Sequence, residues 1–207
     1  MPFVASTSLA LYEQFGNIDI FFTKSQQYFL VGIAAYCLIQ LLLFKPVYLY
    51  VLGHESVHVL ATWLCLGRVT SFEISSQGGS VTTSKSNLFI SLSPYFVPIY
   101  AILLIIVYYL LNNVFSEGIL AQRYFMFLLG MVLAFHIVMT VDTLKTRQPD
   151  LLKAGYLTSS VLIYVVNLVI ISATLGLLFT GFSFRSFLNR TYFLSFDIYA
   201  SIFKQLF

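Results

Sequence analysis

Five long apolar runs, at 28–44, 47–66, 88–111, 119–141 and 152–182, separated by short polar breaks, constrain this chain more than any other feature. A bilayer core about 30 Å thick takes roughly 20 apolar residues of helix to cross. Inside it every backbone polar group must be satisfied internally, so a single run crosses as a helix. The expectation is an all-α polytopic membrane protein with about five transmembrane helices and the lipid bilayer as its solvent. Composition agrees: 59% of the 207 residues are hydrophobic and 9% charged, where a soluble domain carries roughly a quarter charged. The 21 Phe and 14 Tyr suit both bundle interiors and interfacial anchoring. A net charge of +3 is spread over separate loops without a basic stripe, so nucleic acid is not an expected partner.

The breaks between the runs have their own character. Lys45-Pro46 ends the first run in a tight turn. Between the second and third, at 67–87, Phe72 and Ile74 alternate with Ser71, Glu73 and Ser75, and Gly78-Gly79 and Val81-Thr82-Thr83 follow. This reads as two short surface strands around a glycine turn, a small β-hairpin with an edge that can accept another strand. Asn112, Asn113 and Glu117 read as a solvated loop. The tail, 183–207, mixes Arg185, Arg190, Asp197 and Lys204 with Phe and Tyr, and is expected as an amphipathic helix in the membrane interface. The N-terminus lacks the basic start of a cleavable signal, so residues 1–207 are expected to form a single domain. Cys37 and Cys65 lie in apolar runs without metal or disulfide spacing and are expected as small buried hydrophobes.

Orientation follows from Lys and Arg in the short loops. With five alternating spans, one face collects Lys24, Arg68, Lys85, Lys145, Arg147 and Lys153, and the opposite short loops hold Lys45 and Arg123, to which the tail adds three more. The strands are therefore expected on the cytoplasmic side.

Within the second run lies "GHESVH". His54 and His58 are four residues apart, so on a helix both imidazoles leave the same face one turn apart. That spacing suits two ligands of a tetrahedral Zn2+, with Glu55 placed to reach a metal-activated water as general base. Three ionisable groups within five residues of a membrane-embedded helix mark function by default.

From about residue 45 to 165 the order of features resembles the site-2 protease family of intramembrane zinc metalloproteases. "GHESVH" matches that family's His-Glu-x-x-His helix, "SFEISSQGGSV" its strands with a paired glycine, and "SLSPYFVPIY" its next helix. The resemblance implies a third ligand, an aspartate from an Asn-x-x-Pro…Asp-Gly element. The corresponding "FHIVMTVDTLKTRQPDLLKAG" has neither the Asn nor the Asp-Gly. Three residues compete: Asp150 by position before the next helix, Asp142 as a polar helix end, and His136 by its depth. Asp150 also has the position of a helix N-cap, and His136 can instead line the site in place of the family's Asn.

The resemblance implies a zinc endopeptidase cleaving a transmembrane protein substrate. Such a site requires a polar channel, expected toward the cytoplasmic face, and a substrate held extended, for which the strand edge offers backbone hydrogen bonds. Two further readings stand beside it: a zinc-binding scaffold or sensor without protease activity, and a metal transporter using His54, Glu55, His58 and His136. Trp63 and the tyrosines Tyr48, Tyr50, Tyr95, Tyr100, Tyr108 and Tyr109 read as packing or interface anchors, and Asn167 as an amide satisfied through another helix.

Overall fold

The computed structural model describes residues 2–19, 21–75, 77–114, 122–146 and 148–206. The expected start of the fourth span at Ile119, together with Glu117 and Arg147, lies outside the described residues. In chain order the elements are α1 (Pro2–Phe15), α2 (Lys24–Leu42), α3 (Val47–Leu64), β1 (Val69–Ser75), β2 (Gly78–Thr83), α4 (Leu88–Leu92), a 3-10 turn (Ser93–Tyr95), α5 (Ile99–Val114), α6 (Gln122–Leu144), α7 (Pro149–Leu152), α8 (Tyr156–Leu178) and α9 (Phe184–Leu206). They divide into two compact units, Thr23–Tyr156 on one hand and Met1–Phe22 with Leu157–Phe207 on the other.

In the unit 23–156, α2 begins at a capping box. Thr23 N–H donates to Gln26 Oε1 at 2.7 Å, and Gln26 N–H donates back to Thr23 Oγ1 at 3.4 Å, which satisfies two of the free donors of the first turn. Its body packs along α6 through two glycines. A Cβ on Gly32 would lie 2.0 Å from the carbonyl oxygen of Phe127, and one on Gly130 would lie 2.1 Å from that of Phe29. Only hydrogen fits at either place, and the backbones approach as small residues allow in membrane bundles. The contacts advance together along both helices, from Phe29 and Gly130 through the Tyr36–Phe135 ring pair at 5.5 Å to Lys45 and Asp142. The two helices therefore run in the same direction.

This corrects the expected layout, because five alternating spans would set these helices antiparallel and put Lys45 on the opposite face from Lys145. Instead Lys45 Nζ and Lys145 Nζ both donate to Asp142, at 2.5 and 3.1 Å. Among the described residues three helices are long and apolar enough to cross a membrane: α2, α6 and α8. A fourth crossing exists if the bent pair Leu88–Tyr95 and Ile99–Asn113 counts as one span. α3 is not among them, since His54, Glu55 and His58 lower its hydropathy. The expected third span at 88–111 is broken by a bend of 73° at the Ser93-Pro94 turn, where proline withholds its backbone donor. Asn112 and Asn113 belong to the last turns of α5 rather than to a loop. The fifth expected span, 152–182, begins later, at Tyr156, after the separate turn of α7.

Where α2, α3, α5 and α6 meet, Phe135 is the hub of the core. Tyr36, Tyr50 and Tyr100 each set a ring edge against it at centroid distances of 5.5, 6.4 and 5.6 Å, a geometry worth about 0.5–1.5 kcal/mol per pair. The expected hairpin is present. β1 and β2 pair antiparallel from Val69↔Thr83 to Ser75↔Gly78, with an irregularity between Val69 and Ser71. Gly78 and Gly79 open β2 rather than forming the turn. The reason lies in α3: a Cβ on Gly79 would meet Glu55 Cγ and Val51 Cγ1 at 2.7 Å, so the strand is pressed against the helix at the pentad His54-Glu55-Ser56-Val57-His58. Cys37 and Cys65 are free and half-buried rather than buried. Trp63 and Tyr48 are exposed, as interfacial anchors would be.

In the other unit α1 and α9 pair antiparallel. Ser6 Oγ and Ser195 Oγ share a hydrogen bond at 2.6 Å, Arg190 makes a two-pronged bond to Glu13 at 2.6 and 2.9 Å, and Phe15 meets Phe182 edge-on. Phe187, Thr191 and Ser195, spaced by four, bury one face of α9, whereas Leu188, Tyr192, Phe196, Tyr199 and Phe203 form an exposed apolar stripe. The tail is thus an amphipathic helix. In α8, Asn167 Nδ2 donates to the Ile163 carbonyl of its own helix at 2.9 Å.

Candidate metal centre

His54, Glu55 and His58 belong to α3, and Asp150 to the short helix α7 that follows α6. Pro149 supplies the first residue of α7, where its missing N–H costs nothing. The turn presents Asp150 to the face of α3 that carries both imidazoles. One ligand atom each from His54, His58 and Asp150 lies within 4.8 Å of the others. Asp150 Oδ2 is 3.2 Å from His58 Nε2 and 4.0 Å from His54 Nε2, and Lys153 Nζ takes Asp150 Oδ1 at 3.4 Å. Donors around a tetrahedral zinc with bonds of about 2.0–2.1 Å stand roughly 3.4 Å apart, a spacing that falls between the two distances from Asp150 Oδ2 to the imidazoles.

The chemistry of the donors makes the same demand. His58 Nδ1 lies 2.8 Å from the Ile90 carbonyl, which can only accept, so Nδ1 carries the proton. Nε2 of the neutral ring then turns a lone pair toward the Asp150 carboxylate. Two acceptors facing each other at 3.2 Å need a cation between them, either a proton or a metal ion. An imidazole that donates one N–H to a backbone carbonyl and leaves the other nitrogen free is the usual posture of a ligating histidine.

The three side chains open into a cavity of about 590 Å³ whose walls also include Glu55, Gln77 to Ser80 of the hairpin, and Asp142 and Thr143 of α6. That volume is typical of a ligand pocket. Glu55 is 8% exposed and lies beneath Gly79, so the hairpin covers the pentad. The His54 ring is flanked edge-on by Tyr95 at 4.9 Å, and Tyr50 stands at 5.6 Å.

Comparison with known protein families, curated proteins and solved structures finds no match. The reading of this site therefore rests on its geometry.

Of the three competitors for the third position, the structure brings Asp150 to the histidines. Asp142 lines the same cavity but is held by Lys45 and Lys145. His136 is buried in α6 and shares a smaller cavity with His54 rather than joining the His-His-Asp group. Sequence reasoning missed the Ile90 carbonyl, Tyr95 and Lys153. Ile90 had a local signal, since Asn87 accepts from Ile90 N–H at 2.8 Å and starts α4 as its N-cap; nothing local tied that turn to His58. Tyr95 was read only as an anchor and Lys153 only as a loop charge.

Proposed function

We propose that the protein is an intramembrane zinc endopeptidase that cleaves transmembrane segments of membrane proteins, as its resemblance to the site-2 protease family implies. The observation that carries this reading is the convergence of His54, His58 and Asp150 in one cavity with Glu55. Two imidazoles and one carboxylate leave a tetrahedral ion one open position, the arrangement of catalytic rather than structural zinc. A zinc ion held there supplies a Lewis acid that makes water nucleophilic near neutral pH and polarises a peptide carbonyl. Glu55 accepts a proton at its carboxylate from the attacking water and returns it to the leaving amine nitrogen. The hairpin over Glu55 offers unpaired backbone groups to an extended substrate, and the cavity beneath it excludes lipid from the scissile bond.

The membrane layout follows from parity. If α2 and α6 both cross and point the same way, the chain between them makes an odd number of crossings. The bent pair α4–α5 is apolar enough for that one crossing and α3 is not. Four crossings result, α2, α4–α5, α6 and α8, with α3 and the hairpin entering from one face and α9 lying in an interface. The face that holds the site collects Lys45, Arg68, Lys85, Lys145 and Lys153, against Lys24 and Arg123 in the opposite short loops, which makes it cytoplasmic.

The test is Glu55→Gln in the purified protein with a reporter membrane helix. The variant should retain zinc and lose cleavage by about 10²–10⁴-fold. Full cleavage by the variant removes Glu55 as the base. Zinc and helix binding without new peptide termini, in the unaltered protein, would support the scaffold or sensor reading instead.

A further inference from the structure

His54 offers two nitrogens to its surroundings. Nε2 is on the side of Asp150, and Nδ1 is buried with no hydrogen-bond partner from the protein. The side chain as a whole is 9% exposed. His58 differs, because its Nδ1 is fixed by the Ile90 carbonyl. A ligating imidazole without such a partner is free to rotate and is a weaker base, and a buried N–H left unsatisfied is costly.

Beside His54, away from the large cavity, lies a second one of about 20 Å³. His54 and His136 both form its wall, with Tyr50, Phe135 and Pro94 among the rest. A water molecule needs about 10–15 Å³ of such space and at least two polar partners, so this cavity has room for one water and no larger ligand. The hydroxyl of Tyr100, also on the wall, is already committed to the Leu49 carbonyl at 2.6 Å. The other polar side chains on the wall are those of Tyr50, His54 and His136.

We propose that His136 is a positioning residue that orients His54 through one bound water in this small cavity. The inference rests on the reading of His54 as a metal ligand. The water accepts the His54 Nδ1 proton in a hydrogen bond and donates its own O–H to an imidazole nitrogen of His136. This sets the His54 tautomer so that the Nε2 lone pair faces His58 and Asp150, as the Ile90 carbonyl does for His58. It assigns His136 a place behind the metal rather than on it.

The experiment compares the intact protein in detergent with His136→Leu, His136→Phe and His136→Gln. Zinc affinity is read by chelator competition, and the cobalt-substituted forms by their ligand-field absorption. The apolar variants should lose about 10–100-fold in zinc affinity. His136→Gln, whose side-chain oxygen accepts from the same water, should stay within about threefold of the parent. Cobalt band intensity should be the same throughout, because no ligand is exchanged. Unchanged affinity in both apolar variants overturns the proposal. So does a loss in His136→Gln as large as in His136→Leu: with a changed cobalt band it would make His136 a ligand, and with an unchanged band a packing residue. Failure of the parent protein itself to bind zinc removes the metal centre and this inference together, a result separate from losses confined to the variants.

Discussion

Lys45 Nζ sits 2.5 Å from Asp142 Oδ2, across 97 positions of chain, and joins the turn after α2 to the end of α6. Two positions that alternating spans would place on opposite faces of a bilayer are thereby brought into contact. Cysteines introduced singly at Phe44 and Thr146, in a protein with Cys37 and Cys65 replaced by Ser, should label with a membrane-impermeant maleimide from the same side. Labelling from opposite sides would restore the alternating arrangement and remove the four-crossing layout.

The parallel run of α2 and α6 depends on the absence of side chains at Gly32 and Gly130. A methyl group at Gly130 would overlap the Phe29 carbonyl oxygen, and neither atom belongs to a flexible side chain that could move aside. Gly130→Ala should therefore destabilise the folded protein by about 1–3 kcal/mol, and Gly130→Leu by more, as read by denaturant titration in detergent. A substitution on the lipid-facing side of the same helix, such as Tyr124→Leu, which is 52% exposed before the change, should have little effect. Equal tolerance at both positions would mean that the helices do not approach as closely as described.

What was legible in the sequence has a clear physical boundary. The pentad, the hairpin and the amphipathic tail are local patterns whose period alone identifies them. His54 and His58 converge because four residues nearly complete a turn, and Phe72 and Ile74 alternate because a strand is pleated. Direction was not legible, because whether α6 runs with or against α2 depends on contacts such as Gly32 to Phe127 that no window of sequence contains. The bend at Ser93-Pro94 is visible in the sequence only as a proline, which fits a helix start as well as a kink. Among the third-ligand candidates, depth alone favoured His136 and position favoured Asp150. The outcome turned on the fold of α7, which returns Asp150 to α3 from beyond the end of α6.

The α1–α9 pair carries a pH dependence of known sign. Glu13 is held below the usual glutamate range by the hydrogen bond from the Arg190 guanidinium, which with its charge outweighs a small opposing effect of burial. A carboxyl with a lowered folded-state value stabilises the fold above its unfolded value, about 4.3, and loses that contribution as pH falls through the folded value. The melting-temperature difference between the parent and Glu13→Gln should thus be constant from pH 8 to about pH 5 and shrink below the ordinary glutamate range. A difference that grows on acidification would contradict the pairing.

Metal removal separates the aspartates. Asp150 directs one oxygen at both imidazoles, whereas Asp142 spends its oxygens on Lys45 and Lys145. Loss of a direct ligand should exceed the roughly 10–100-fold effect typical of an indirect partner. Asp150→Ala is therefore expected to weaken zinc binding by on the order of 100-fold or more, as strongly as His54→Ala, and Asp142→Ala by no more than about threefold. Each is measured by chelator competition on protein shown by circular dichroism to retain its helices. Stripping zinc from the parent with a chelator should abolish cleavage of the reporter helix and leave that helical signal intact, since α3 is held by the Gly79 and Ile90 contacts and α7 by its packing against α4. Retained activity in the stripped protein, or zinc binding that survives Asp150→Ala, would dismantle the centre built from these three side chains.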